Sequence, residues 1–85
     1  MSGPSATAPR VTVYSRPGCH LCEEAEAVVA AVCAELAESY VVVMIDDDPE
    51  LRERFTDEVP VTFVDGRQHD FWRVDAVRLR AALTS

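Results

Sequence analysis

Two cysteines three positions apart, Cys19 and Cys22, are the residues of this 85-residue chain most able to do chemistry. A C-x-x-C pair suits two chemistries. A thiolate on one sulfur can attack a disulfide, and the other sulfur can then resolve the mixed disulfide. Alternatively, two thiolates make half of a tetrahedral zinc site. Zinc needs four ligands, and the other candidates, Cys33, His20 and His69, form no second paired motif. Position then separates the two thiols. Arg16-Pro17-Gly18 breaks the chain just before Cys19, and a helical pattern begins at Cys19 or His20. The unpaired N–H groups and dipole of a first helical turn stabilise a thiolate. Thiols so placed titrate anywhere from ~3.5 to ~7.5 instead of about 8.5. Cys19 is therefore the expected nucleophile, and Cys22, almost one turn on and deeper, the expected resolving thiol. His20 between them is either a group that tunes Cys19 as imidazolium or proton shuttle, or an exposed spacer. Cys33 lies about 16 Å further along the helix, which predicts a buried small apolar residue.

The elements that must hold these residues follow from periodicity. Residues 10–15 (RVTVYS) are β-branched and aromatic, a strand pattern. In the helix over residues 19 or 20 to 38, Leu21, Ala25, Val28, Val29, Val32 and Leu36 form one stripe. Glu23, Glu24, Glu26, Glu35 and Glu38 lie off it. Residues 40–45 (YVVVMI) are continuously apolar, which predicts a strand buried on both faces. Strand, helix and strand with short connections predict a parallel pair with a right-handed crossover. An Asp N-cap before Pro49 starts a short helix to Phe55. Residues 61–64 and 67–71 are strands joined by Asp65-Gly66, a two-residue hairpin turn. Asp75 caps a last helix over 76–83, with Val74 and Leu79 as its hydrophobic staple. Residues 1–9, small and with two prolines, read as a disordered tail. Residues 10–85 read as one α/β domain of order β-α-β-α-β-β-α, a four-stranded mixed sheet with helices on both faces.

Composition narrows the partners. Apolar residues make up 48% and charged residues 27%, as in an ordinary globular domain. The net charge is −7, with no lysine and eight scattered arginines. Nucleic acid and anionic membranes both need clustered cations, so neither is an expected partner. The apolar run at 41–45 falls far short of the ~20 residues of a membrane span. The N-terminus lacks a charged region followed by an apolar one. A cytoplasmic location is the resulting expectation.

Residues Tyr14-Ser15-Arg16-Pro17-Gly18-Cys19-His20-Leu21-Cys22, Val59-Pro60 ahead of the third strand, and Asp65-Gly66 in the hairpin carry a resemblance. Over residues 10–83 the chain resembles the glutaredoxin-like branch of the thioredoxin superfamily, in particular small bacterial proteins with S-R-P-G-C-H-L-C-E. The resemblance implies a thioredoxin-like fold and a thiol–disulfide oxidoreductase acting on protein or low-molecular-weight disulfides. It also implies a cis Pro60 facing the cysteines, with the Val59 backbone available to pair with an extended substrate. Arg16 matches a basic position that pairs a glutathione carboxylate, though an exposed arginine needs no such role. Trp72, with Phe71, is a candidate wall of the substrate groove, or plain packing at the strand edge. The departures are as informative. Typical members have C-P-Y-C, and they have Gly-Gly then Asp where this chain has Phe71-Trp72-Arg73-Val74-Asp75. Glu23, Glu24, Glu26 and Glu58 surround the pair with like charge, which repels anionic glutathione. The expected enzyme is a monomer that needs no cofactor and depends little on glutathione, with thioredoxin reductase or glutathione as candidate electron donor. The alternative is a metal- or iron–sulfur-binding module using the same C-x-x-C.

Overall fold

The computed structural model of the chain describes residues 9–55 and 58–84. Of the expected tail, all but Pro9 lies outside them. Among the described residues the elements are β1 (Val11–Ser15), α1 (His20–Leu36), β2 (Tyr40–Met44), a 3-10 turn (Ile45–Asp47), α2 (Pro49–Phe55), β3 (Val61–Val64), β4 (Arg67–Phe71) and α3 (Ala76–Thr84). They form one sheet of order β2-β1-β3-β4. β1 and β2 are parallel, whereas β1–β3 and β3–β4 are antiparallel. The mixed sheet and the helices on both faces match the sequence reading.

Period-two alternation sorts the side chains between the faces. Val11, Val13 and Val64 face α1 and α3, where they join Val29, Val32, Cys33, Leu79 and Leu83 in the main core. On the opposite face Tyr14, Val61 and Phe63 meet Ile45, Leu51 and Phe55 from the 3-10 turn and α2. Tyr14 stacks on Phe55 at 4.9 Å and meets Phe63 edge-on at 5.5 Å. Aromatic pairs in these geometries add about 1 kcal/mol each beyond area burial. This cluster fixes the end of β1 from which the cysteine loop departs.

The predicted ends hold. Asp48 accepts from the Glu50 N–H at 2.9 Å with Pro49 in the first turn of α2. Asp65 and Gly66 take φ of 52° and 83°, the left-handed pair that a tight hairpin turn needs. Asp75 accepts from the Val77 and Arg78 N–H groups at 2.8 and 3.1 Å, and is thus the cap of α3. At the far end of β1, the Arg10 guanidinium bonds Asp65, Glu38 and the Leu83 carbonyl. That clamp joins α1, the hairpin and α3 at the pole opposite the cysteines.

One expectation is corrected. β2 is not buried on both faces. It is the sheet's outer strand, with Tyr40 and Val41 each 39% exposed and the rest half-buried. β3 takes the other side of β1, so β1 and β3 are the inner strands and β2 and β4 the edges. The apolar run also stops one residue early as a strand, because Ile45 enters the 3-10 turn. Among the described residues no helix is long and apolar enough to cross a membrane.

Candidate active site

Gly18 takes φ of 70°, a conformation glycine reaches at little cost, and so turns the chain from β1 into α1. Cys19 then stands as the extended N-cap of α1, and its Sγ accepts a hydrogen bond from the Cys22 N–H at 3.2 Å. The sulfur thus occupies the place usually taken by a Ser or Asp oxygen, and satisfies one of the first-turn N–H groups. A charged acceptor makes this bond stronger than a neutral one does. The Cys22 N–H is thus committed to the Cys19 sulfur.

Cys22 sits differently. Cys19 is partly exposed, but Cys22 is 1% exposed beneath it, and both are free thiols. Burial pushes the Cys22 thiol up to about 11, and its hydrogen bond with Cys19 adds to the rise. The Arg16 backbone N–H and the Ser15 hydroxyl oppose it. Ser15 ends β1 on the face that carries Val11 and Val13, and it is 0% exposed. Its Oγ has no hydrogen bond of good geometry. Cys33 is 1% exposed within the main core, and burial raises its thiol as well. It takes the small apolar role expected of it.

The remaining predicted site residues divide. The Val59–Pro60 peptide is cis and Pro60 is buried. Among the described residues the Val59 N–H and C=O make no hydrogen bond. Trp72 lies beside them, its N–H donating to the Pro60 carbonyl at 2.7 Å. Its indole is half exposed, and its backbone has φ of 67°, where a bulky side chain is strained. A groove of about 130 Å³ runs between Leu21, Glu24, Ala25 and Val28 of α1 and the Trp72-Arg73-Val74 turn. Leu21 belongs to the C-x-x-C itself, but neither cysteine lines the groove. The wider depression of about 520 Å³ at the hairpin is lined by Val64, Asp65, Arg67, Gln68, His69 and Ala82 and shares no residue with it.

Arg16 and His20 are engaged elsewhere. The Arg16 Nε is 3.2 Å from Asp46 Oδ1. The His20 side chain is 84% exposed, with Nε2 2.8 Å from Glu24 Oε2. Glu23 and Glu58 are exposed nearby in sequence to the cysteines and to Val59. The Phe71 side chain lies outside what is described. Among the described residues no group of three or more His, Cys, Asp or Glu side chains is arranged to hold a metal ion. Sequence reasoning missed Ser15 beside Cys22, Asp46 as the partner of Arg16, and the α1 wall of the groove. Ser15 could have been found from the alternation Val11, Val13, Ser15 on the helix-facing side of β1.

Against known proteins, the model of the glutaredoxin-like domain (DUF836) matches residues 10–84. The chain belongs to the glutaredoxin-like family. It is 36% identical over 78 residues to the uncharacterized protein Rv0508 of Mycobacterium tuberculosis, a match covering 86% of this chain and 80% of that one. The crystal structure of protein XcR50 from X. campestris is 39% identical, with a TM-score of 0.72 over 87% of this chain and 95% of that one. Glutaredoxin C1 from Populus tremula x tremuloides, in its holo form, is 23% identical with a TM-score of 0.61, covering 93% and 87% of the two chains. That last likeness concerns the thioredoxin-like fold. Trp72, in the turn after β4, keeps a left-handed backbone despite its side chain.

Proposed function

We propose that this glutaredoxin-like protein is a thiol–disulfide oxidoreductase in which Cys19 attacks and Cys22 resolves. The observation that carries this reading is the 3.2 Å bond from the Cys22 N–H to the Cys19 sulfur, set above a second, buried thiol. Cys19 thiolate attacks one sulfur of a substrate disulfide. An S–S bond to Cys19 forms, and the substrate's other sulfur leaves and takes up a proton. Cys22 then loses its proton and attacks Cys19 Sγ, which releases the first substrate sulfur as a thiol. Two electrons and two protons pass to the substrate, and Cys19–Cys22 becomes a disulfide. A thiol reductant, with thioredoxin reductase or glutathione as the candidate source, must restore the dithiol. The Val59 backbone groups would pair with the substrate as an added strand.

Glutathione is a poor fit to this site. The guanidinium of Arg16, which would have to pair a carboxylate, is held by Asp46. Glu23 and Glu58 are exposed close in sequence to the cysteines and to Val59 and add negative charge, and Trp72 falls in the stretch where the resemblance implies a glycine pair. The metal-binding alternative needs two ligands beyond Cys19 and Cys22, and no observation favours it. The test is trapping. Cys22→Ser should accumulate stable mixed disulfides through Cys19, and Cys19→Ser should form none. A Cys22→Ser protein that traps nothing would sink the redox reading. Brisk glutathione-coupled turnover of hydroxyethyl disulfide would refute the weak glutathione dependence.

A further inference from the structure

The depression at the hairpin lies at the pole opposite the cysteines and takes no part in the thiol exchange. It holds about 520 Å³ between β4 and Ala82 of α3, the size of a small-molecule site and far more than a bare ion fills. Strand register explains its side chains. Arg67 pairs with Val64, which joins the core under α3, so Arg67 stands on that same face. His69, two positions on, shares it. The register shift at Thr62 and Phe63 then sets Asp70 opposite the buried Thr62. This bulge turns two consecutive residues, His69 and Asp70, to one face. The charges there differ in what they have left to offer. Asp65 accepts from Arg10 through both carboxylate oxygens, at 3.0 and 2.9 Å, and that guanidinium holds its carboxyl below the usual range. Asp70 is 2.8 Å from Arg78 and does not line the depression. Among the described residues Arg67 makes no ion pair, although acidic side chains outnumber basic ones by 15 to 8. His69 adds a polar wall, with its Nε2 buried, without a hydrogen bond, 3.8 Å from Asp70 Oδ2. Val64 and Ala82 supply apolar surface.

We infer that this depression binds an organic monocarboxylate with a compact apolar body. The planar fork of Arg67 takes the carboxylate through two parallel N–H···O bonds. The body lies against Val64, Ala82 and the His69 ring. One guanidinium balances one negative charge, whereas a phosphate monoester carries nearly two and meets no second unpaired cation in the lining. A cationic ligand is disfavoured because the carboxylate in the lining, Asp65, is already bound to Arg10. The site is independent of the oxidoreductase reading and stands whether or not Cys19 and Cys22 exchange disulfides.

Benzoate is the probe, with benzamide as its uncharged counterpart and benzylammonium as its cationic one. The chain has two histidines, one at each pole. His69 lines the depression, whereas His20 begins the helix at the cysteines. Their imidazole carbon–proton NMR signals, followed in the reduced full-length protein at fixed pH, report the two ends separately. Benzoate should move the His69 signal and the amides of residues 64–69 along a saturating curve with a midpoint of about 1–10 mM, as so small a ligand allows. The His20 signal should stay in place. Benzamide and benzylammonium should bind at least about tenfold more weakly, because neither makes the charge-assisted pair with Arg67. Arg67→Gln should weaken benzoate by about tenfold or more. Arg54→Gln removes the same charge from the opposite face of the sheet, where Arg54 lies over the Phe55 and Phe63 rings, and should change the affinity by less than about twofold. The comparison of the three ligands on the unaltered chain needs no variant, and the urea midpoint of Arg67→Gln separates lost binding from lost fold. A shift that stays linear up to about 50 mM benzoate would overturn the inference. So would equal or tighter binding of benzamide or benzylammonium, movement of His20 in step with His69, or full benzoate affinity in folded Arg67→Gln.

Discussion

Resolution requires a proton to leave Cys22 while that sulfur is buried, and beside the Arg16 backbone N–H the Ser15 hydroxyl is a side-chain group able to ease it. The Ser15 hydroxyl is 0% exposed and has no hydrogen bond of good geometry when Cys22 is a thiol. A hydroxyl in that state gains a strong acceptor once Cys22 becomes anionic. A hydrogen bond to a charged group contributes about 1.5–3 kcal/mol. In the transition state for attack on Cys19 roughly half of the charge remains on the attacking sulfur. Ser15→Ala should therefore raise the barrier of the resolving step by about 1 kcal/mol, a roughly fivefold slower rate. The same substitution removes a buried, unpaired hydroxyl, so its effect on stability should be neutral or favourable. Stopped-flow reaction with 4,4′-dithiodipyridine separates the steps, because attack by Cys19 releases one thiopyridone and resolution by Cys22 the second. The second release should slow about fivefold, the first should stay within about twofold, and the urea midpoint should not fall. Equal slowing of both phases would refute the reasoning, as would an unchanged second phase.

Cys22 should also be visible in its titration. Carbon-13 resonances of the cysteine Cβ atoms should place its midpoint near 11, because burial disfavours the thiolate. The unfolded thiol ionises near 8.5, so between these values the unfolded chain has lost a proton that the folded chain keeps. The stability linked to Cys22 should be complete below pH ~8.5 and lost as pH rises through about 11. Urea unfolding of the reduced protein at a series of alkaline pH values reads this, and a flat profile contradicts it. At position 72 the usual order of alanine and glycine should invert. With φ of 67°, Trp72→Gly should be more stable than Trp72→Ala by about 1 kcal/mol, whereas alanine wins by a similar margin at an ordinary site. Ala37 ends α1 at φ of 57°, with its own N–H and that of Glu38 bonded back to Ala34 and Cys33. Ala37→Gly should raise stability by about 0.5–1 kcal/mol, and a lowered urea midpoint would count against that C-cap reading.

What the sequence disclosed depended on whether the physics was local. The Asp65-Gly66 turn and the Asp48 and Asp75 caps are each decided within a few residues, and they sit where expected. The strands' existence followed from β-branched runs. Which strand is the edge did not, because a run such as 40–45 has no alternation to report a face. Burial there depends on β3 taking the far side of β1. The cysteine site divides along the same line. Cys19 at a helix start, Cys22 inside it and Cys33 in the core were legible from spacing alone. The partner of Arg16 was not, since Asp46 arrives thirty residues later from the turn after β2. The left-handed backbone of Trp72 was also hidden, because bulky residues disfavour that region and only the neighbouring chain imposes it.

The division of labour between the cysteines follows from their three-residue spacing. A helix advances about 1.5 Å and ~100° per residue. Three steps therefore bring the second residue back under the first, about 4.5 Å deeper. Because Cys19 is the cap, its sulfur lies outside the helix and receives the N–H of the residue three positions on, which is Cys22 itself. Because Cys22 is one turn inside, its side chain meets β1, where strand alternation has placed Ser15 rather than another valine. The backbone of the buried thiol thus donates to the sulfur of the exposed one. A hydroxyl from the strand awaits the charge that the buried thiol carries only in the second step. Moving either cysteine by one residue would break both relations, since a shift of ~100° turns Cys22 from β1 or withdraws Cys19 from the cap. The motif and the strand–helix junction are therefore one device.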